Sequence, residues 1–202
     1  MGEVRKRTFE SSIDALRTVY YVVIGLAITE ALNRTFTRNG SFVGREIFDL
    51  GKILLIISFM LTACRFAHGA SIHLGKFSEK RHKPVVDFLG FLTQASLFYV
   101  MAIALNKPKW FMFSFILMLS VDAIWLLFLM IGKIIDITST ERQWLRSDGV
   151  MLIFFLCIFL VDKTVSSVFS LISICVIAVL ATIFDYLKNW AFYFPEFQSH
   201  VA

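Results

Sequence analysis

The sequence predicts an all-α integral membrane protein, a polytopic bundle of about six transmembrane helices, and three observations predict it. Of the 202 residues, 57% are hydrophobic and only 17% are charged, against roughly 25% charged in an ordinary soluble domain. The run WFMFSFILMLSVDAIWLLFLMIGKII, residues 110–135, is apolar almost throughout, and 23 residues separate Lys109 from Lys133. About 20 apolar residues cross a bilayer at ~1.5 Å per residue. Comparable runs recur along the chain. At roughly 30 residues per span with its connection, the length allows six helices and leaves no room for a separate soluble domain. Residues 1–202 therefore read as one transmembrane domain, with four or five spans if helix one is interfacial or the last apolar stretch is not a hairpin.

Helix one is placed at 13–36. Its uncharged part, Thr18 to Thr29, has only 12 residues, so Arg17 and Glu30 must snorkel or find partners. The start MGEVRKR is basic like that of a signal peptide, but no small-x-small cleavage site follows cleanly. Lys6 stands where a myristoylation pattern requires Ser or Thr. Asn39-Gly40 breaks the helix, and helix two is placed at 45–77, with its apolar heart between Lys52 and Arg65. A basic connector, 76–84, follows. Pro84 opens helix three, 84–106, which carries Asp87 in its first turn and Gln94 deeper in.

Helix four, 110–135, holds Asp122 near its middle. A charge at the centre of a spanning helix costs between ~3 and more than 10 kcal/mol in lipid, so Asp122 should face protein, water or an ion. After a polar connector, 150–183 is apolar except at Asp162-Lys163-Thr164. It is too long for one span and divides into helix five, 149–161, and helix six, 165–187. The aromatic tail, 188–202, suits the headgroup layer. Counting Lys and Arg with the N-terminus inside gives 12 on inner segments against 7 on outer ones, Arg65 unassigned. The positive-inside rule then places both termini in the cytoplasm.

Polar residues at depth are the candidate site. Glu30, Arg65, Gln94 and Asp122 come one from each of the first four helices, and as a cluster they would either fix helix register or line an ion or proton pathway. Ser166, Ser170 and Ser173 stand at i, i+4 and i+7, a stripe suited to close helix contact or to pore lining. Lys76, Lys80, Arg81 and Lys83 form a basic cytoplasmic patch for membrane lipid phosphate or an acidic soluble protein. Cys64 and His68, at i and i+4, are a two-residue half-site for a metal, too little to predict one, and no cofactor is expected. The three cysteines, Cys64, Cys157 and Cys175, all lie in apolar runs and do not form a disulfide framework. No Gly-rich phosphate loop, nucleophile elbow or HExxH is present, so neither an enzyme nor direct nucleic-acid binding is expected.

In length, short spans and small loops the chain resembles the small bacterial six-span potassium channels related to the lysosomal potassium channel, with Ser58-Phe59 followed by His68 on helix two. That family's first-helix Phe-Ser-Asp signature is missing, the region reading VYYVVIGLAITEAL, and no site residue carries over. The plan is also similar to small membrane subunits of bacterial defence systems. Both likenesses imply the bacterial inner (plasma) membrane. Two functions follow as expectations. One is a homo-oligomeric pore or ion-conducting assembly, a tetramer before a dimer, because short spans are relieved by oligomerising. The other is a membrane-embedded sensor or scaffold whose basic face recruits a soluble partner.

Overall fold

In lipid a backbone must satisfy its own hydrogen bonds, so each long apolar run winds into a helix. The computed structural model describes residues 2–38, 41–42, 50–76, 84–131, 139–163, 165 and 167–194, with side chains over 11–36, 50–74, 89–131, 140–163, 165 and 167–194. The helices are α1 (Gly2–Phe36), α2 (Leu50–Lys76), α3 (Pro84–Ile103, continued by a 3-10 turn Ala104–Asn106), α4 (Pro108–Ile131), α5 (Ser139–Val161), α6 (Val168–Lys188) and the single turn α7 (Trp190–Tyr193). A two-residue antiparallel ladder, Thr37–Arg38 with Ser41–Phe42, leads out of α1. Among the described residues six helices are long and apolar enough to cross a membrane, with spans of 18 to 26 residues. At ~1.5 Å per residue these cover ~27 to 39 Å, against a hydrocarbon core of ~30 Å. The protein is a multi-pass helical membrane bundle.

Some boundaries differ from those read in the sequence: α1 begins at Gly2 rather than 13, and α6 at Val168 rather than 165. α5 begins at Ser139, ten residues before the expected start at 149. Its polar first half is helical because its cations Arg142 and Arg146 are exposed, while buried Glu141 and Asp148 have partners on α2. α1 is a full member of the bundle: Tyr20, Ile24, Ala27 and Ala31 form one buried stripe at helical spacing. Its charges are met locally, Arg17 by Asp14 at 3.3 Å and Glu30 by Arg34 at 2.6 Å.

Neighbour packing closes the six spans into a ring in the order α1, α3, α4, α5, α6, α2 and back to α1. The end where α1 meets α2, α3 meets α4 and α5 meets α6 is filled by apolar side chains. Phe59 from α2, Phe98 from α3, Phe111 and Phe115 from α4, Phe155 from α5 and Ile174 from α6 are all fully buried there. Phe115 and Phe155 pack with tilted rings 4.7 Å apart between centroids, and Phe59 meets Phe98 edge-on at 6.1 Å. The α5–α6 turn is tied by Asp162, whose Oδ1 accepts from Val165 N at 2.9 Å and whose Oδ2 accepts from Ser167 N and the Ser170 hydroxyl at 3.0 and 2.8 Å. Val165, with φ 51°, takes the left-handed conformation that a β-branched residue rarely adopts, and its side chain is buried.

Candidate functional site

Each of the six spans turns at least one polar side chain into the other half of the ring. α1 gives Tyr20, α2 Arg65, α3 Gln94, α4 Asp122, α5 Asp148 and α6 Asp185, and all are buried. Arg65 is the hub. Its Nη2 donates to Asp148 Oδ1 at 2.6 Å, its Nε stands 4.0 Å from Asp185 Oδ2, and its Nη1 donates to Met151 Sδ at 3.6 Å. On the opposite wall Tyr20 donates to Gln94 Oε1 at 3.0 Å, and Gln94 Nε2 donates to Asp122 Oδ1 at 2.7 Å. The Asp122 and Asp148 carboxyls share this half of the ring and repel each other when both are ionised. Among the described residues, then, three buried carboxyls face one buried guanidinium.

α7 closes this end. The Tyr193 hydroxyl donates to Asp185 Oδ2 at 2.7 Å, and Asn189 Nδ2 donates to Asp185 Oδ1 at 2.7 Å. Burial, with Asp185 beside it, pushes the Tyr193 phenol above its ordinary range, so it stays a neutral donor at physiological pH. Around it stand aromatic rings: His68 lies 4.9 Å from Tyr193, Trp144 5.1 Å from Phe192, and His73 5.5 Å from Trp125. His73 Nδ1 also faces Glu141 Oε1 at 3.5 Å. Between these walls lies a cavity of about 40 Å³, lined by Arg65, His73, Gln94, Asp122, Trp125 and Tyr193 among others. A polar cavity needs only ~10 to 15 Å³ to hold a water, so this one accommodates water beside the carboxyls.

Of the residues picked out in the sequence, Gln94 and Asp122 are bonded to each other, and Arg65 joins them through Asp148. Glu30 is not in the cluster. It is partly exposed near the far end of α1, its charge satisfied by Arg34 one turn on. Of the serine stripe, Ser170 bonds Asp162 and Ser167 in the α5–α6 turn, Ser173 is half-buried, and Ser166 lies outside the described residues. Cys64 is exposed, and His68 Nδ1 is bonded to the Tyr186 hydroxyl at 3.0 Å. Among the described residues no group of three His, Cys, Asp or Glu is gathered to hold a metal ion. In the basic patch Lys76 is described only as backbone ending α2, and Lys80, Arg81 and Lys83 lie outside the described residues.

Tyr20, Asp148, Asp185 and Tyr193 were not singled out from the sequence, yet a signal for the two carboxylates is there. Met151 and Phe155 follow Asp148 at three and seven positions, on one helical face. Asp185 continues the buried line Ser170, Ile174, Ala178 on α6 at helical spacing. Comparison with family models, curated proteins and solved structures gives no match to this chain.

Proposed function

We propose that this multi-span membrane protein binds and moves protons or another monovalent cation, with the ion held inside each protomer on the carboxyls of Asp122, Asp148 and Asp185. One observation carries the reading: three buried carboxyls against one guanidinium. Ionised together they would leave an uncompensated negative charge in a low-dielectric interior, which costs several kcal/mol per ion unless a cation is taken up from solution. The remaining groups that face the cluster are the neutral donors Tyr20, Gln94, Asn189 and Tyr193, with the His73–Glu141 pair at the cavity edge. The mutual repulsion of the neighbouring Asp122 and Asp148 carboxylates favours a proton, since sharing one removes that repulsion.

Passage to the far side requires the apolar plug around Phe59, Phe115 and Phe155 to part, so the reading is of a gated or alternating path through the protomer. Assembly into a homo-oligomer, a tetramer before a dimer, is a separate proposal that the protomer site does not require. The rival reading, a scaffold recruiting a soluble partner, rests on a basic connector that lies mostly outside the described residues.

The test is reconstitution into liposomes enclosing a pH-sensitive dye, with a potassium gradient and valinomycin setting the potential. Flux above that of protein-free vesicles is expected, reduced about tenfold or more by Asp122→Asn, since positioned proton-transfer groups contribute ~10² or more. Flux that is unchanged in both Asp122→Asn and Asp148→Asn, or absent from the unsubstituted protein, would overturn the proposal. Native mass measurement in nanodiscs addresses assembly separately: a monomer that still moves protons removes the tetramer and leaves the protomer site standing.

A further inference from the structure

Between α5 and α6 the outer surface of the bundle is grooved. The groove holds about 800 Å³, in the range of ligand sites at ~300 to 1,000 Å³. Its walls are apolar, with Val150, Phe154, Leu180 and Phe184 about half exposed. In a spanning helix such exposure means contact with acyl chains. One end is different. Arg146 and Lys188 line it, with Gln143 and Ser147 beside them. Both cations are exposed, and among the described residues neither has a hydrogen bond or an ion pair. The Lys188 ammonium stands 5.9 Å from the Phe184 ring, which holds it near the groove.

We propose that this groove is a binding site for an anionic phospholipid, its phosphate on Arg146 and Lys188 and one acyl chain along Phe154, Leu180 and Ile177. The dimensions fit. Ile177 is 11 positions from Lys188, ~16 Å along a helix, and one leaflet of a ~30 Å hydrocarbon core is ~15 Å deep. The charge fits as well. Two cations that have no ion pair among the described residues complement a lipid with net negative charge and gain less from a zwitterionic one. The groove's inner wall includes Met151, the sulfur that accepts from Arg65, so the lipid sits one side chain from the Arg65–Asp148 pair. The site depends only on the membrane-spanning fold and stands or falls independently of ion movement.

Native mass spectrometry of the purified protein, given phosphatidylglycerol or phosphatidylcholine, tests it. Phosphatidylglycerol should be retained at least about fivefold better, the effect of one cation near an anionic surface, and raised salt should narrow the gap. Arg146→Gln with Lys188→Gln should reduce phosphatidylglycerol to the phosphatidylcholine level. Both residues are exposed, so the melting temperature should not move. Leu180→Trp, which fills the apolar part, should reduce retention of both lipids. Equal retention of the two lipids by the unsubstituted protein, or a preference that survives the double substitution, overturns the proposal. So does a Phe154→Cys crosslink joining two copies in high yield, which would give the groove to a second protomer.

Discussion

Arg65 and Asp148, 83 positions apart in the chain, meet at 2.6 Å inside the helix ring. In the sequence each looks like the charged end of a short span, the first closing a 12-residue apolar segment of α2 and the second opening a 13-residue segment of α5. They are one ion pair seen from its two halves. With that pairing α2 and α5 are both long enough to span, so hydrophobic mismatch gives them little reason to oligomerise.

Removing one partner of a buried pair leaves an uncompensated charge. Arg65→Leu should therefore destabilise the bundle by ~3 to 5 kcal/mol, and adding Asp148→Leu should restore part of the loss. Restoration is incomplete because Asp185, 4.0 Å from the guanidinium, stays behind. Thermal unfolding in detergent measures both variants; a double variant no better than the single would mean that the two residues do not act as a unit.

Asp122 accepts from Gln94 at 2.7 Å, and its substitutions separate hydrogen bonding from charge. Asp122→Asn keeps an acceptor and should change stability by less than ~1 kcal/mol, whereas Asp122→Leu strands the buried amide at ~1 to 3 kcal/mol. If Asn destabilises as much as Leu, the carboxylate charge itself holds the cluster together.

Two glycines with different surroundings make a matched test of packing. A Cβ on Gly90 would stand 2.9 Å from Trp125 Cδ1 and Nε1, while one on Gly69 would find nothing nearer than 3.4 Å. Gly90→Ala should cost ~1 to 3 kcal/mol by forcing the indole aside, and Gly69→Ala should be nearly neutral. The reverse order in melting temperature would show that α3 and α4 do not pack as described.

Alkali should loosen the closed end first. Because the Tyr193 phenol is held above its ordinary range by burial and by Asp185, the folded state binds that proton more tightly than the unfolded chain. The stabilisation is complete below about pH 10, where the unfolded phenol begins to ionise, and is lost as pH rises beyond it. Trp144 packs on Phe192, so its fluorescence reports the undocking of α7. Tyr193→Phe should lose the hydrogen bond to Asp185 and, with it, this part of the alkaline transition.

The six spans were legible because lipid demands length and apolarity, properties that a sequence displays directly. The hairpin at Asp162 was legible as a polar interruption in an otherwise continuous run. The site was legible only in part. Gln94 and Asp122 stand out because each is polar inside an apolar run, whereas Asp148 follows a polar stretch, ERQWLRS, that reads as a connector. Asp185 suffers the same way from its position near the end of α6, and Tyr193 from its place in an aromatic tail suited to the headgroup layer. Glu30 shows the opposite error: depth along a helix does not say which way a side chain points, and an arginine one turn away settles its charge within α1.

The separation in sequence between Arg65 and its carboxylates also fixes an order of assembly. α2 is synthesised well before α5 and α6, so its guanidinium enters the bilayer when neither Asp148 nor Asp185 yet exists. An unpaired arginine at mid-helix costs ~2.5 to 3.5 kcal/mol during insertion, which leaves α2 a reluctant span until the last third of the chain is made. Among the described residues, chains halted after α4 offer that cation only Asp122 and lack the Asp148 carboxylate it bonds in the finished fold. The Arg65–Asp148 pair can close only once α5 is in the membrane, so the late helices complete what α2 begins.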